Sequence, residues 1–137
     1  MSFNGNCEEA FNFYRSVFGG AFQFVGRYND LPPHERRNFA EVADDKIMHI
    51  SLPIAKDTIL MGCDSPEPDA PTAMSGNNVS LSINTESKSE ADRIFNGLSN
   101  GGKIRMSMNE TFWGSYFGDL TDKFGIHWMI SFDLNEL

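Results

Sequence analysis

The chain has 137 residues, with 11 Lys or Arg and 19 Asp or Glu, and its formal net charge is −8. This length predicts one domain, residues 1–137, with a substantial core. The negative charge argues against nucleic acid and anionic membranes as partners. The only cysteines, Cys7 and Cys63, have neither a C-x-x-C nor a zinc-finger spacing, and no apolar run approaches the roughly 20 residues of a membrane span. A cytoplasmic protein with reduced thiols is predicted.

Two segments have the pattern of amphipathic helices. The first begins at Asn6, a candidate N-cap with Glu9 three residues later, and its apolar stripe is Ala10, Phe13, Tyr14 and Val17. The second begins at Ser87, which forms a capping box with Glu90, and its apolar stripe is Ala91, Ile94, Phe95 and Leu98. A glycine pair follows each segment. The stripes align at one offset of 81 residues (91 − 10), which indicates an internal repeat of two half-domains.

Alternation of apolar and polar residues predicts strands on both sides of each helix. The predicted strands are residues 1–4, 21–28, 46–53, 58–63, 78–85, 103–108, 112–121 and 126–133. Each half is therefore a β-α-β-β-β module, the first over 1–63 and the second over 77–137. A Pro- and Asp-rich segment, 64–76, is predicted to link them, and the long loop 29–38 is a candidate lid.

Several segments together resemble the PhnB-like branch of the vicinal oxygen chelate superfamily, which includes glyoxalases, bleomycin resistance proteins and extradiol dioxygenases. They are FNGNCEEAFNFYRSVFGG, KIMHISLPI, TILMGCD and FWGSYFGDLTDKFGIHWMISF. PhnB-like proteins are often labelled 3-demethylubiquinone-9 3-methyltransferase-like. The resemblance implies an α+β fold of two tandem βαβββ modules forming a curved, mainly antiparallel sheet with a central groove.

In this fold, one sheet face packs on the helix and the other lines the groove. Trp128, Ile130 and Phe132 are then expected in the core, and His127 on the opposite face, after a turn in which Gly125 takes a positive φ. The resemblance also implies a homodimer. Candidate contact residues are Ile104, Met106, Met108, Phe112 and Phe117.

The expected groove lining is soft and neutral. Candidate ligand-binding residues are Phe24, Ser51, Met61, Ser80, Ser82, Trp113, Tyr116, Met129 and Ser131. Thioethers, aromatic rings and hydroxyls favour binding of a small apolar or aromatic molecule. For Trp113 and Tyr116 the alternative is an aromatic side chain packed at a module or dimer seam.

Metal-dependent relatives hold a divalent ion with His, Gln and Glu side chains on the first and last strands of each module. The matching positions here carry Met61, Ser80 and Met129, and the fourth falls before Met1. Hydroxyl and thioether groups do not replace carboxylates as ligands for such ions. No metal site and no cofactor is therefore predicted, although a divalent metal held by other residues stays an alternative.

His49 is the candidate catalytic residue, since a groove-facing imidazole acts as a general acid or base near neutral pH. The alternative is a core histidine with its hydrogen bonds satisfied. His34 and His127 are expected in loops or at the surface, and Cys7 and Cys63 as small apolar fillers.

Whether the protein is an enzyme is left open. A metal-dependent isomerase, lyase or dioxygenase is the main alternative to a binding protein, and an interaction module with a vestigial pocket is a third. Methyl transfer is not expected, because the chain has no G-x-G-x-x-G turn and its modules are antiparallel.

Overall fold

A computed structural model describes residues 1–66 and 74–136 of the chain. It divides the chain into two compact units, Met1–Met74 (unit 1) and Ser75–Leu137 (unit 2). The helices and strands of unit 1 are β1 (Ser2–Phe3), α1 (Cys7–Phe18), β2 (Phe24–Arg27), α2 (Pro33–Arg36), β3 (Ile47–Ala55) and β4 (Thr58–Asp64). Those of unit 2 are β5 (Leu81–Asn84), α3 (Lys88–Ser99), β6 (Lys103–Glu110), β7 (Ser115–Thr121) and β8 (His127–Asp133). Within the described ranges, 3₁₀ turns lie at Tyr28–Asp30, Arg37–Phe39 and Leu134–Glu136.

Each unit contains a four-stranded sheet with the same strand order. The order is β1-β4-β3-β2 in unit 1 and β5-β8-β7-β6 in unit 2. In both sheets the first strand is parallel to the last strand of its unit, and the other pairs are antiparallel. The predicted α+β class and the repeated βαβββ modules are therefore confirmed.

Several predicted strands are shorter in the structure. The strand predicted over 21–28 spans only Phe24–Arg27. The strand predicted over 78–85 begins at Leu81, the first residue that pairs with β8, and Val79 before it is 73 % exposed. The strand predicted over 112–121 begins at Ser115, because Thr111 Oγ1 accepts a hydrogen bond from the Ser115 amide and closes a turn. Of the predicted linker, residues 67–73 lie outside the described residues, and Asp64 is the last residue of β4.

The helices bury the stripes that face their sheets. In α3 the four predicted stripe residues, Ala91, Ile94, Phe95 and Leu98, are all buried. In α1 the prediction is wrong at Phe13, which is half-buried, whereas Phe11 is fully buried. Phe11 follows Cys7 by four residues, so the buried stripe of α1 starts one turn earlier than predicted.

Close helix-to-sheet contact depends on one glycine in each unit. A Cβ atom at Gly62 of β4 would lie 2.5 Å from Phe11 of α1, and one at Gly118 of β7 would lie 2.8 Å from Phe95 of α3. Both distances are far below van der Waals contact. A side chain at either position would therefore displace a buried aromatic ring.

The carboxylate of Asp64 joins most elements of unit 1. Its Oδ1 accepts hydrogen bonds from the amides of Gly5 (3.0 Å) and Cys7 (2.9 Å), and its Oδ2 accepts one from Ile47 (2.8 Å). Asp64 is 2 % exposed. The expected Asn6 cap is wrong in detail, because Asn6 occupies the N-cap position without a side-chain hydrogen bond. Asp64 satisfies the first amide of α1 instead.

A register shift changes which residues of β3 are buried. Gly26 pairs with His49 but the next residue, Arg27, pairs with Ile47, so β3 has one extra residue at this point. An extra residue reverses the alternation of side chains between the two faces. Ile47 is fully buried as a result, while Met48 is half-buried.

The predicted loop 29–38 contains the short helix α2 between two 3₁₀ turns. Arg36 donates hydrogen bonds to the carbonyls of Phe39 and Val42 (2.5 Å to the latter) and to the Asp44 carboxylate (2.9 Å). Tyr28, at the start of the loop, is buried and donates to the Asp64 carbonyl (2.9 Å). The segment is thus held locally by side-chain bonds, and its function as a lid stays a prediction.

The β7–β8 hairpin agrees with the sequence pattern. Trp128, Ile130 and Phe132 are buried, as predicted, and Gly125 has φ +87°. Asp122 fixes the turn, since its Oδ2 accepts from Trp128 Nε1 (2.8 Å). Its Oδ1 accepts from the amides of Phe124 and Ile126, at 2.8 and 3.1 Å.

Among the described residues, no helix is long and apolar enough to span a membrane.

Replacement of Asp64 by Asn is expected to lower the free energy of unfolding by at least about 3 kcal/mol. The substitution puts an N–H donor against amides that need an acceptor, and hydrogen bonds to a charged group contribute about 1.5–3 kcal/mol each. Urea denaturation measures the loss. Asp57→Asn, in the exposed β3–β4 turn, is the matched control and should stay within about 0.5 kcal/mol of wild type. Equal effects of the two substitutions would contradict the anchoring role of Asp64.

Burial, reinforced by the nearby Asp64 carboxylate, raises the pKa of the Cys7 thiol far above its ordinary value of 9.0. The thiol then ionises in the unfolded chain first, so its contribution to stability is complete below pH 9.0 and is lost as pH rises further. The free energy of unfolding should fall by about 1.4 kcal/mol per pH unit from this group. In urea denaturation series above pH 9.0, the free energy of unfolding of Cys7→Ala should fall less steeply with pH than that of wild type. Identical declines would refute the prediction.

Candidate functional site

The sheet face of unit 2 that is opposite α3, here called the far face, presents mixed polar and apolar side chains. Residues paired across neighbouring strands form two rows on this face. One row is Asn84, Ser131, Phe117 and Asn109, and the next is Ser82, Met129, Asp119 and Met106. The predicted ligand-binding residues Ser82, Met129 and Ser131 are thus brought together. Ser131 Oγ also donates a hydrogen bond to Asn84 Oδ1 (2.8 Å), which orients both groups.

Trp113 lies at the end of this face, on the turn between β6 and β7. The Thr111 hydroxyl donates to the Ser115 carbonyl (3.0 Å) and the Gly114 carbonyl accepts from the Leu134 amide (3.0 Å). These bonds hold the turn. The Trp113 ring is 6.1 Å from the Phe117 ring, measured between centroids, yet the residue is 56 % exposed. An aromatic side chain that is fixed at its backbone and exposed at its ring is suited to stacking on a ligand.

A pocket of about 330 Å³ opens beside Trp113. Its lining is almost wholly polar apart from the indole ring: Asn84, Thr85, Trp113, Gly114, Ser115, Ser131, Asp133 and Asn135. Some of these polar groups already have partners. Thr85 Oγ1 donates to the Ser131 carbonyl (3.2 Å) and Asp133 Oδ1 accepts from the Asn135 amide (2.9 Å). The pocket therefore offers one stacking surface and several orienting hydrogen-bonding groups.

The corresponding face of unit 1 collects the other predicted residues. Phe24, Ser51 and Met61 are cross-strand neighbours on β2, β3 and β4. The His49 ring lies 5.9 Å from the Phe24 ring. Phe24 and Met61 are each half exposed, whereas Ser51 is buried. These residues form a second cluster, and a catalytic role of His49 stays a prediction.

Two predicted ligand-binding residues lie elsewhere. Ser80 is exposed and precedes β5, so it is not part of the sheet. Tyr116 pairs with Phe132 on the face that packs on α3, and its hydroxyl donates to Asp92 Oδ1 (2.6 Å). This hydrogen bond and partial burial raise the pKa of Tyr116. Tyr116 is therefore packed within its own unit, and its predicted roles in ligand binding or at a module or dimer seam stay predictions.

The remaining candidates have structural surroundings. His127 was expected in a loop or at the surface, but it is half-buried in β8, with Nδ1 2.7 Å from Thr121 Oγ1 and Nε2 bonded to the Gly76 carbonyl. His34 is exposed. Cys7 is fully buried, and Cys63 is half-buried with its Sγ 3.8 Å from Ser2 Oγ.

Sequence reasoning missed Asn84 and Asp119. Asn84 ends β5 and Asp119 is central in β7, on the same face as Ser131 and Met129. Alternation along β7 was the available signal, because Phe117 and Asp119 share a face while Gly118 and Leu120 are buried on the other.

The residues present do not fit the metal centre of the metal-dependent relatives. Met61 and Met129 offer thioethers on their sheets and Ser80 lies off β5. In the part of the chain that is described, no three His, Cys, Asp or Glu side chains are grouped as metal ligands. The far face thus provides hydrogen bonds, the separate carboxylates of Asp119 and Asp133 and apolar contacts, without the grouped donor set that a hard divalent ion prefers.

Comparison with known proteins places the chain in a family. The family described as 3-demethylubiquinone-9 3-methyltransferase matches residues 1–131. Protein YjdN of Escherichia coli K12 is 31 % identical, over 96 % of this chain and 90 % of that protein. The crystal structure of PA1353 from Pseudomonas aeruginosa is 38 % identical, with a TM-score of 0.80, over 97 % of this chain and 93 % of that one.

Two further solved structures extend the comparison. The PhnB protein of Bacillus cereus, described as a putative 3-demethylubiquinone-9 3-methyltransferase, is 26 % identical with a TM-score of 0.73, over 96 % of this chain and 95 % of that one. A glyoxalase/bleomycin resistance protein/dioxygenase family enzyme from Burkholderia phytofirmans shares the fold at 16 % identity and a TM-score of 0.64, over 98 % and 96 %. The chain therefore belongs to the 3-demethylubiquinone-9 3-methyltransferase family, the PhnB-like branch of the vicinal oxygen chelate fold.

Proposed function

We propose that the protein binds a small aromatic molecule beside Trp113 on unit 2, without a metal ion. The observation that carries the proposal is the pocket of about 330 Å³, whose lining includes an exposed indole ring and the hydrogen-bonded side chains of Ser131 and Asn84. An aromatic ring stacked on Trp113 gains about 0.5–1.5 kcal/mol beyond the apolar area that it buries. Its substituents then meet hydroxyl and amide groups already held in place.

The charge of the protein favours a neutral or cationic ligand. The chain carries a net charge of −8, and the one charged residue in the pocket lining is Asp133. An anionic ligand would have to approach against this charge. The polar lining also extends the sequence prediction, since a purely apolar molecule would leave the pocket's hydrogen-bonding groups desolvated.

A metal-dependent isomerase, lyase or dioxygenase is not favoured, because Met61 and Met129 stand where carboxylate ligands are required. Methyl transfer is not favoured either. Each described sheet is mixed and largely antiparallel, whereas a nucleotide-type methyl donor usually needs a parallel sheet with a glycine-rich first turn.

A cytoplasmic homodimer remains part of the proposal. Three of its candidate contact residues are exposed apolar side chains, namely Ile104, Met106 and Phe112. Met108 and Phe117 are half-buried within unit 2 and contribute less. Light scattering during size-exclusion chromatography tests the mass in solution.

Titration with catechol is expected to quench tryptophan emission in a saturable manner, and benzoate should bind more weakly because it is anionic. The signal has an internal control, since Trp128, the second tryptophan, is fully buried and bonded to Asp122. In Trp113→Phe only Trp128 emits, and catechol should leave that emission unchanged.

Trp113→Ala should weaken catechol binding about five- to tenfold, measured by calorimetry or by ligand-observed NMR, which matches the loss of one aromatic contact. Val79→Ala is the control, because Val79 is 73 % exposed in the same unit and does not line the pocket. Unchanged affinity in Trp113→Ala would sink the proposed site.

A further inference from the structure

The carboxylate of Asp133 is oriented by the chain, accessible from outside and free of a positive partner. Its Oδ1 accepts a hydrogen bond from the Asn135 amide (2.9 Å), which fixes the direction of the side chain. The residue is exposed, so other molecules can contact it. Within residues 1–66 and 74–136, Asp133 forms no ion pair with a Lys, Arg or His side chain. Its negative charge is therefore available to a ligand.

Asp133 lines the Trp113 pocket directly. It pairs with Ser115 across β7 and β8, and it is two residues from Ser131 on the same strand, so these side chains share the far face. All of them, with Trp113, belong to the lining of the same cavity of about 330 Å³. This volume is near the lower end for ligand pockets, so distances across the cavity are short. A small molecule stacked on the indole ring is therefore within reach of the carboxylate.

The hydroxyl groups in the lining present acceptors to the cavity. Ser131 Oγ donates its hydrogen to Asn84 Oδ1 (2.8 Å), and Thr85 Oγ1 donates to the Ser131 carbonyl (3.2 Å). A hydroxyl group has one hydrogen, so each of these oxygens keeps only lone pairs for a ligand. The side-chain amides of Asn84 and Asn135 can supply donors, but they carry no positive charge. Among the described lining residues there is no Lys, Arg or His to attract an anion.

We propose that the ligand is an arylalkylamine whose protonated nitrogen donates hydrogen bonds to Asp133 while its aromatic ring stacks on Trp113. This inference rests on the proposed function and specifies its ligand class. An ammonium group matches the lining in two ways, since it is positively charged and has donors but no acceptor. Hydrogen bonds between charged partners are about twice as strong as neutral ones, so the amine is preferred over an alcohol of the same shape.

Direct contact with Asp133 differs from the general attraction of cations to an acidic protein. The net charge of −8 acts on every cation, and salt screens it over about one Debye length. Contact with Asp133 additionally requires an N–H donor on the ligand and a carboxylate at this position of the chain. A cation without N–H groups and an aspartate substitution elsewhere therefore separate the two effects.

The test uses three probes that share a benzyl group: benzylamine, benzyl alcohol and benzyltrimethylammonium, a cation without an N–H donor. Binding near neutral pH, where benzylamine is protonated, is followed by Trp113 emission and by calorimetry. Wild type is compared with Asp133→Asn, in which the side-chain oxygen can still accept from the Asn135 amide. Asp57→Asn removes the same charge from the exposed β3–β4 turn of unit 1 and is the matched control. Urea denaturation verifies that each variant is folded.

In wild type, benzylamine should bind about fivefold more tightly than benzyl alcohol, the upper end of what an exposed ion pair contributes. It should also bind more tightly than benzyltrimethylammonium, which cannot donate a hydrogen bond. Asp133→Asn should remove the preference for benzylamine and leave the affinity for benzyl alcohol unchanged. Asp57→Asn should keep the wild-type order of the three probes.

Several results would overturn the inference, and they differ in what they leave standing. If wild type binds benzylamine and benzyl alcohol equally, or if Asp133→Asn keeps the preference, the role of Asp133 is wrong and the proposed function survives. Equal weakening of benzylamine by Asp133→Asn and Asp57→Asn would assign the effect to net charge. If benzyltrimethylammonium binds as tightly as benzylamine, donation to Asp133 is wrong. If no probe changes Trp113 emission up to its solubility limit, the proposed function fails as well.

Discussion

Buried carboxylates that accept backbone or indole N–H groups organise both units. Asp64 connects the β1–α1 turn, the first amide of α1 and β3 through three hydrogen bonds. Asp122 does the same within the β7–β8 turn and orients Trp128. A charge removed from water is tolerated only when its hydrogen bonds are made, so these two residues constrain the chain around them. Neither carboxylate depends on the side chains of the sheet faces opposite the helices, so substitutions on those faces leave these hydrogen bonds in place.

That freedom explains the character of the candidate site. The positions that the sequence resemblance matches to metal ligands hold Met61 in β4 and Met129 in β8. The face of unit 2 combines thioether, hydroxyl, amide and aromatic groups with the carboxylates of Asp119 and Asp133. Recognition by stacking and hydrogen bonds is what such a surface offers, with Trp113 and Ser131 as its defining groups.

Much of the fold was predictable because its signals are local. The capping box of α3 is read directly from Ser87 and Glu90, and the amide of Glu90 does donate to Ser87 Oγ (3.0 Å). Alternation along β8 identified its buried face. The cap of α1 was not predictable, since Asp64 lies 57 residues beyond Cys7 in the chain. The site was only partly predictable for the same reason: Tyr116, Ser80 and Asp119 depend on strand register and strand ends, and a single bulge or a shortened strand changes a face.

The distant cap of α1 also affects how the protein is assembled during synthesis. Helix α3 emerges from the ribosome with its capping box already in place, so it gains helical structure from neighbours three residues apart. Helix α1 and the strand β1 are made first, yet both receive their partners from β4, the last strand of unit 1. Unit 1 therefore folds only after residue 64 has been translated, and its closing contacts span a long stretch of chain, which slows folding. Helix α1 of unit 1 thus depends on a cap residue that is synthesised much later, whereas helix α3 of unit 2 has its cap residue next to it in the sequence.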